Sequence, residues 1–197
     1  MALLDDIDEV LIPEEALKAR IRELGQRIST DYAGKEPLLV AILTGAVLFT
    51  SDLLRQISIP CQLDFIATSS YGEQVDSSGV VRILKDLNQS IEGRHVIVVD
   101  DIIDTGLTMD YLLETLKTRY PASLKVCALL DKLPRRRRFV PIDYRGFEIP
   151  DRFVVGYGLD YAGRYRNLPF ICVLKTQVYG QAPAIQTQTP AGRSAPA

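Results

Sequence analysis

The chain has 197 residues, of which 47% are hydrophobic and 24% are charged, and its formal net charge is −2. This composition is sufficient for a packed core, and the small charge gives no general attraction to nucleic acid or to acidic membranes. No apolar stretch reaches the roughly 20 residues of a membrane-spanning helix, and residues 1–15 lack a signal-peptide pattern. Three widely separated cysteines, interpreted as reduced thiols, favour a cytoplasmic protein.

The first 130 residues predict strands and helices in alternation. A helix is expected to begin at Pro13, because proline suits the first helical position and apolar residues then repeat along one helical face. Strands are predicted at residues 38–43, 62–68, 80–84, 95–99 and 125–130, and helices up to Gln56 and over 109–119. Polar residues 69–79 predict a mobile loop. The alternation indicates a mostly parallel sheet covered by helices.

The pattern changes after residue 130. Short strands are expected at residues 153–155 and 170–174, separated by proline and glycine. Residues 180–197 contain mainly Gln, Ala, Thr, Pro and Ser, which predicts a disordered tail. The single histidine, His95, lies at a strand start where no partner is expected, and we assign it no catalytic role.

The most informative segment of the chain is residues 96–109. Four apolar residues lead directly to Asp100 and Asp101, which fits a buried strand whose carboxyl end meets a ligand. Asp104 follows, and the next four residues open a predicted helix with the sequence Thr105-Gly106-Leu107-Thr108. Main-chain N–H groups and hydroxyls converge in such a turn, so it predicts a site for a phosphate monoester.

This segment resembles the signature of type I phosphoribosyltransferases, which bind phosphoribosyl pyrophosphate. Further matches to the hypoxanthine-guanine branch of that family occur in order at Leu43-Thr44-Gly45, Ser70-Tyr71 and residues 146–161. The resemblance covers about residues 7–176. It implies an α/β fold with a mostly parallel twisted sheet flanked by helices and a small hood subdomain. The implied division is one domain over 1–179, with a core at about 34–130 and a hood from about 1–20 and 131–179.

The resemblance also implies an activity. Members of this branch act in purine salvage and transfer phosphoribosyl from phosphoribosyl pyrophosphate to hypoxanthine, and commonly to guanine, with Mg²⁺ as cofactor. IMP or GMP and pyrophosphate are the products. Relatives form dimers or tetramers, so a homodimer or homotetramer is expected, with a purine base and phosphoribosyl pyrophosphate as the small-molecule partners. Neither nucleic acid nor a membrane is an expected partner.

The family pattern carries over to this chain residue by residue. It implies that the phosphoribosyl group is held by Asp100, Asp101, Asp104, Thr105, Gly106, Leu107 and Thr108. Asp104 would also exchange a proton with the base, as the catalytic acid or base. Many relatives have glutamate where this chain has Asp100, which keeps the charge on a shorter side chain.

The other ligand groups are assigned in the same way. The residues implied to bind pyrophosphate are Thr44, Gly45, Ser70, Tyr71 and Arg166, with Arg164 as a nearby alternative. Many relatives hold a cis peptide in the first of these loops. Mg²⁺ prefers one or two carboxylates plus phosphate oxygens, and Asp160, Asp100 and Asp101 would hold it. The purine would contact Lys132, Phe153 and Val154. The Lys132 ammonium can only donate, which favours a 6-oxo group over an amino group.

Other interpretations remain open from the residues alone. Asp104 fits a helix N-cap equally well, Lys132 fits a solvated strand end, and Phe153 fits core packing. A phospho-acceptor receiver domain would also use an acidic pair, with Asp131 at a further strand end. A regulator that binds phosphoribosyl pyrophosphate and nucleic acid would use the four arginines at 135–138, for which a solvated loop is the simpler interpretation.

Overall fold

The computed structural model describes residues 3–70 and 81–179. These residues form a six-stranded sheet with helices on both faces and a separate three-stranded sheet. Within the described ranges, no helix has the length and apolar character needed to cross a membrane. The predicted tail at 180–197 and nearly all of the predicted loop at 69–79 lie outside the described residues.

The larger sheet follows the predicted alternation. Its strands are β2 (Leu38–Leu43), β3 (Gln62–Ser70), β4 (Val81–Lys85), β5 (His95–Ile103), β6 (Ser123–Asp131) and β7 (Tyr144–Glu148). Their spatial order is β4–β3–β2–β5–β6–β7. Every neighbouring pair is parallel except β3 and β4, which are antiparallel at one edge. The prediction of a mostly parallel sheet is therefore confirmed.

Alternate residues of β5 face two separate hydrophobic cores. The helices that cover the sheet are α1 (Glu14–Asp31), α2 (Val47–Gln56) and α3 (Leu107–Lys117). Ile97 and Val99 pack in the core that contains α1 and α2, whereas Val96 and Val98 pack in the core that contains α3. All four side chains are fully buried. β5 is therefore the central strand, and its carboxyl end carries the acidic residues of the predicted site.

The first helix begins one residue later than expected. Pro13 lies before the helix in an extended conformation, and its carbonyl oxygen accepts hydrogen bonds from the N–H groups of Ala16 and Leu17. The apolar face predicted for this helix is buried in the core. Proline therefore closes the first turn through its carbonyl group and needs no N–H of its own.

The smaller sheet joins both ends of the described chain. It consists of β1 (Ile7–Ile12), β9 (Ile171–Leu174) and β8 (Val154–Val155), in that spatial order and antiparallel throughout. The short helix α4 (Thr176–Tyr179) follows β9. The main-chain N–H of Lys175 donates to the carbonyl of Asp6 over 2.9 Å, which links the residues that flank β9 and β1.

The clearest differences from the sequence-based expectation are in the strands β1, β7 and β5. The sequence does not predict β1, because its charged and apolar residues do not alternate clearly. Three of its six residues are exposed. β7 belongs to the larger sheet, although the implied division assigned residues 131–179 to the hood. β5 continues four residues beyond its predicted end at 99, so Asp100 and Asp101 lie within the strand. Pairing with β6 extends the strand past its apolar residues.

All three cysteines are free thiols, as predicted. Cys127 and Cys172 are buried and Cys61 is half-buried. Burial raises the pKa of all three thiols, to about 11 for Cys172. The cysteines therefore have the character of core side chains.

Candidate active site

The carboxyl ends of β2, β5 and β6 meet at one edge of the larger sheet, because these three strands are parallel neighbours. Thr44 follows β2, Asp100 and Asp101 lie near the end of β5, and Lys132 follows β6. The N–H of Lys132 donates to the carbonyl of Ile103 over 3.0 Å, which ties the last two segments together. Sequence-predicted residues from three separate segments are thus brought to the same edge.

Asp100 and Asp101 form a half-buried acidic pair. The N–H of Asp101 donates to the Asp100 carboxylate over 3.1 Å, and the N–H of Ile102 donates to the Asp101 carboxylate over 2.9 Å. Burial raises the pKa of both carboxyl groups, and the neighbouring Asp101 charge raises the pKa of Asp100 further. Such a pair is stabilised by a ligand that supplies hydroxyl donors or positive charge.

The predicted phosphate turn lines a cavity of about 150 Å³ beside this acidic pair. The lining includes Asp100, Asp104, Thr105, Gly106 and Thr108. Gly106 has a φ of 83°, and α3 begins at the next residue, Leu107. A side chain at position 106 would place its Cβ 2.5 Å from the carbonyl oxygen of Arg138. Glycine is therefore required here both by its conformation and by the close approach of another loop.

Asp104 does not cap α3. The residue at the cap position is Gly106, and the first N–H of the helix, that of Leu107, donates to the Thr105 hydroxyl over 3.4 Å. The Oδ1 atom of Asp104 is buried and receives no hydrogen bond from the described residues. Arg135 Nε lies 3.5 Å from this oxygen without hydrogen-bond geometry. The carboxylate is thus held at the cavity with an acceptor that remains available.

A half-buried arginine, Arg136, supports the phosphate turn through hydrogen bonds to its main chain. The Arg136 guanidinium donates to the carbonyl groups of Ile103 and Asp104 over 3.3 and 3.2 Å, and it also pairs with the Asp131 carboxylate. Asp131 is fully buried and forms a second ion pair with Arg145 over 2.9 Å. The acid considered for a receiver domain is therefore enclosed between two arginines.

The arginine run does not form a wholly solvated loop. The N–H groups of Arg137 and Arg138 donate to the carbonyl of Thr105 over 2.8 and 3.1 Å. Arg135, Arg137 and Arg138 have exposed side chains, whereas that of Arg136 is only 13% exposed. Sequence reasoning missed this brace. The five-residue interval between Asp131 and Arg136, across a Leu-Pro turn, is the one signal that could have indicated it.

Two glycines allow the loop after β2, the acidic pair and the hood to come together. A Cβ at Gly45 would overlap the Asp101 carboxylate, and a Cβ at Gly158 would overlap the Gly45 carbonyl. Gly158 has a φ of 103°. The loop also contains a cis peptide, which lies between Leu43 and Thr44. The contact with Gly158 was not predicted from the sequence.

Asp160 and Arg166 form a pair on the hood beside this contact. The Arg166 guanidinium donates to the Gly158 carbonyl over 2.6 Å and lies 2.6 Å from the Asp160 carboxylate. Its positive charge partly offsets the rise in the pKa of Asp101. Arg164, the alternative from spacing, has an exposed side chain. Arg166 is therefore the arginine that faces the acidic pair.

Lys132 is a buried lysine at the same edge. Its side chain is only 6% exposed, and its ammonium lies 3.8 Å from the Asp151 carboxylate. This contradicts a solvated strand end, because burying an ammonium is unfavourable without a partner. Asp151, which sequence reasoning did not single out, supplies that partner from the hood.

Phe153 lies in an aromatic cluster that is open to solvent. Its side chain is 42% exposed, which excludes simple core packing, whereas the adjacent Val154 is buried in β8. The Tyr161 ring meets the Phe153 ring edge-on at 5.7 Å, and the Tyr179 ring lies at 5.5 Å with a tilt of 32°. Neither tyrosine was predicted to belong to the site.

The remaining predicted residues cannot all be placed. Ser70 is the last residue of β3, and Tyr71 lies outside the described residues. Among residues 3–70 and 81–179, no group of three or more His, Cys, Asp or Glu side chains is arranged to hold a metal ion.

Comparison with known proteins identifies the family. Residues 9–162 match the family described as phosphoribosyl transferase domain. The chain belongs to the phosphoribosyltransferase family. It is 51% identical over 182 residues to a hypoxanthine-guanine phosphoribosyltransferase of Mycobacterium avium, an alignment that covers 89% of this chain and 90% of the relative. The predicted resemblance to this family and branch is confirmed.

The family fold is confirmed by a solved structure. A crystal structure of a hypoxanthine phosphoribosyltransferase from Staphylococcus aureus superimposes with a TM-score of 0.87 at 44% identity, and covers 91% of this chain and 97% of that chain. The chain is also 50% identical over 177 residues to the bifunctional protein TilS/HprT of Listeria monocytogenes. That alignment covers 90% of this chain but 27% of the length of the bifunctional relative.

Proposed function

We propose that the chain transfers the 5-phosphoribosyl group of phosphoribosyl pyrophosphate to hypoxanthine, and also to guanine, and so acts in purine salvage. The observation that carries this proposal is the cavity in which the phosphate turn and Asp100, the first member of the acidic pair, lie side by side. Relatives that are named hypoxanthine-guanine phosphoribosyltransferase and are about half identical in sequence support the same activity.

The phosphate turn would bind the 5-phosphate. The first N–H groups of α3 have no partners within the helix, so they can donate to phosphate oxygens together with the Thr105 and Thr108 hydroxyls. Gly106 lets the main chain approach closely, and Leu107 contributes through its main chain. The brace from Arg136 holds the turn before the ligand arrives, which reduces the entropy lost on binding.

Asp100 and Asp101 would accept hydrogen bonds from the two ribose hydroxyls. Both carboxyl groups have a raised pKa, so hydroxyl donors and a nearby cation would stabilise their ionised forms. Negative charge beside the ribose would also stabilise positive charge that develops at the reacting ribose carbon. The same pair would thus serve in binding and in catalysis.

Asp104 would take the proton that leaves the purine. As the bond from purine nitrogen to ribose carbon forms, the bond from that carbon to pyrophosphate breaks and the nitrogen gives up its hydrogen. The available Oδ1 atom of Asp104 could accept this proton directly or through one water. The Arg135 guanidinium lies 3.5 Å from the same oxygen, at the rim of the proposed base site.

The purine would lie between Lys132 and the hood. The Lys132 ammonium would donate a hydrogen bond to the 6-oxo group. An amino group at the same position cannot accept that hydrogen bond. The exposed Phe153 ring would stack on the base, and the main chain of Val154 would contact its edge. The ion pair with Asp151 would keep the ammonium oriented until the base arrives.

Pyrophosphate would be bound by the loop after β2 and by the hood. Thr44 and Gly45 would supply main-chain donors, and Arg166 would supply a forked guanidinium. The family resemblance adds Ser70 and Tyr71 to this group. Mg²⁺ fits this donor set, because Asp160 and the acidic pair are carboxylates and the substrate would provide the remaining oxygens. When bound, the ion would neutralise charge on the leaving group.

The decisive experiment is an assay of pyrophosphate release with purified protein, phosphoribosyl pyrophosphate and Mg²⁺. Hypoxanthine, guanine, xanthine, adenine and uracil are offered in turn. We expect turnover with the 6-oxopurines and none with adenine or uracil. Binding of phosphoribosyl pyrophosphate without turnover on any base would overturn the proposed activity.

A Lys132→Ala variant tests how the base is selected. Loss of a charged hydrogen bond costs about 1.5–3 kcal/mol, so kcat/KM for hypoxanthine should fall by at least tenfold. The ratio of hypoxanthine to adenine use should fall with it, while the KM for phosphoribosyl pyrophosphate stays near its original value. An unchanged preference for oxo over amino purines would contradict the role of Lys132.

We also propose a cytoplasmic location, which the three free thiols favour, and a homodimer or homotetramer, which the family resemblance implies. Sedimentation of the purified chain at micromolar concentration would measure the assembly state directly. A monomer at that concentration would contradict the proposed assembly.

A further inference from the structure

A second cavity of about 410 Å³ lies at the opposite edge of the larger sheet. β5, β6 and β7 begin there, at His95, Ser123 and Tyr144. The end of α1 forms another wall, through Arg27 and the residues that follow it. Five residues of strand separate His95 from Asp100, which corresponds to roughly 16 Å. No residue of the proposed active site lines this cavity.

Both carboxylates in this cavity already have partners. Asp143 accepts from the Lys125 ammonium over 2.7 Å and from the N–H of Val126 over 2.9 Å. Asp31 accepts from the hydroxyl of Tyr144 over 2.9 Å, and Arg27 lies 3.8 Å from it. These acids are therefore occupied by groups of the protein, and they leave little capacity for a bound cation.

The cationic side chains of the cavity differ in whether a carboxylate pairs with them. The Lys35 ammonium lies 5.7 Å from the centre of the Tyr32 ring, and no carboxylate in the described part of the chain pairs with it. The Arg27 guanidinium lies over the Tyr144 ring at 5.2 Å. Lys125 and Arg27 offset the two carboxylates, so the charge of Lys35 remains and the cavity attracts an anion.

Neutral donors complete the lining. His95 Nδ1 and Ser123 Oγ are 2.8 Å apart, so the only histidine of the chain has a partner, contrary to the expectation from sequence. The Tyr32 ring contacts the His95 ring edge-on at 5.7 Å. Imidazole, hydroxyl, ammonium and guanidinium groups from several elements therefore converge on one space. Such a mixed set of donors suits the several oxygens of a phosphate.

We propose that this cavity binds a small molecule that carries a phosphate monoester, at a site separate from the active site. Lys35, Arg27 and His95 contact the phosphate, and the remaining space beside the tyrosine rings holds the organic part. The volume is in the range of small-molecule sites and exceeds what a lone phosphate ion requires. This inference does not depend on the proposed transferase activity, which uses the other edge of the sheet.

The single histidine makes a direct test possible. Protein labelled with ¹³C-histidine gives one set of ring signals, which report on His95 alone. Ribose 5-phosphate is titrated while these signals are followed by NMR, with ribose as the neutral control and inorganic phosphate as the minimal anion. We expect saturable shifts with ribose 5-phosphate, weaker binding of inorganic phosphate, and no shift with ribose.

Matched variants on α1 and just beyond it decide the assignment. Lys35→Gln, at an exposed position that should not affect folding, should weaken ribose 5-phosphate binding at His95 about tenfold. Lys18→Gln, an equally exposed lysine paired with Glu14, should leave binding unchanged. Shifts that persist at full strength in Lys35→Gln would come from binding at the phosphate turn, and would overturn the proposal, as would the absence of shifts. Pyrophosphate release by each variant reports separately on the active site.

Discussion

The phosphate turn and the proposed base site are built in different ways. The turn is contiguous in sequence and presents main-chain groups, and its shape is fixed by Gly106 and by buried ion pairs around Arg136. The proposed base site consists of the side chains of Lys132, at the edge of the larger sheet, and Phe153, on the hood, whose neighbours Asp151 and Tyr179 come from elsewhere in the chain. Substitutions should therefore act through backbone geometry in the first region and through single contacts in the second.

The largest expected effect comes from the support beneath the phosphate turn. Asp131→Asn leaves the buried Arg136 guanidinium without its carboxylate, and loss of one partner of a buried pair costs about 3–5 kcal/mol. We expect a loss near the lower limit, because Arg145 is 44% exposed and can turn to solvent. Urea unfolding measures it. Asp86→Asn, which breaks the exposed pair with Arg119, is the control and should cost less than about 1 kcal/mol.

Gly106→Ala tests whether the turn itself depends on its backbone. A side chain at this φ costs about 1–3 kcal/mol, and the contact with the Arg138 carbonyl adds to that cost. The KM for phosphoribosyl pyrophosphate should rise at least tenfold, while base selectivity is retained. Gly34→Ala, at a positive φ with open space around it, separates conformational strain from the close contact. An equal rise in the KM for phosphoribosyl pyrophosphate in both variants would contradict a specific role of Gly106 in the turn.

The acidic pair should lower the free energy of unfolding of the ligand-free protein at neutral pH. Because burial and like charge raise the folded-state pKa of Asp100, the folded protein binds protons more strongly than the unfolded chain. Stability therefore falls as pH rises from the ordinary carboxyl pKa to the raised one, and stays reduced above it. Asp100→Asn should stabilise the free protein by about 1 kcal/mol at neutral pH, and the gain should vanish in acid.

Unfolding curves of both proteins across that pH range measure the difference. Activity should fall in the same Asp100→Asn variant, because an amide accepts fewer hydrogen bonds from ribose hydroxyls. A variant that is less stable at neutral pH would contradict the raised pKa.

The smallest effect is expected in the hood. Tyr179→Ala removes one ring contact with Phe153, and such contacts contribute about 0.5–1.5 kcal/mol. The KM for hypoxanthine should rise severalfold, with kcat and the KM for phosphoribosyl pyrophosphate little changed. Tyr179→Phe keeps the ring, so its KM for hypoxanthine should equal that of the unmodified protein. A change in kcat alone would contradict a role of the Tyr179 ring in binding the base.

Contiguous features were accessible from the sequence. Apolar β-branched residues identified the central strand, and the acids and Thr-Gly-x-Thr sequence that follow it identified the phosphate turn. β1 and β7 were not identified because their residues are largely polar or exposed and gain stability only by pairing with β9 and β6.

Features that depend on distant segments were not accessible. Arg136 belongs to a run of four arginines, and nothing local separates the half-buried member from its exposed neighbours. The contact of Gly158 with Gly45 joins segments more than a hundred positions apart, and Arg166 meets the acidic pair from more than sixty positions away. Partners at such distances are fixed by the fold, so a single sequence indicates the residue types but not their pairing.

The reliance of the phosphate turn on main-chain groups also bears on inhibitor resistance. A substitution can remove the Lys132 ammonium or the Phe153 ring, but it cannot remove an amide of the chain, and the φ and close packing of Gly106 leave little room for change. An inhibitor that takes most of its affinity from the turn would therefore leave few single mutations open for escape. One that depends on the hood would meet resistance at several positions.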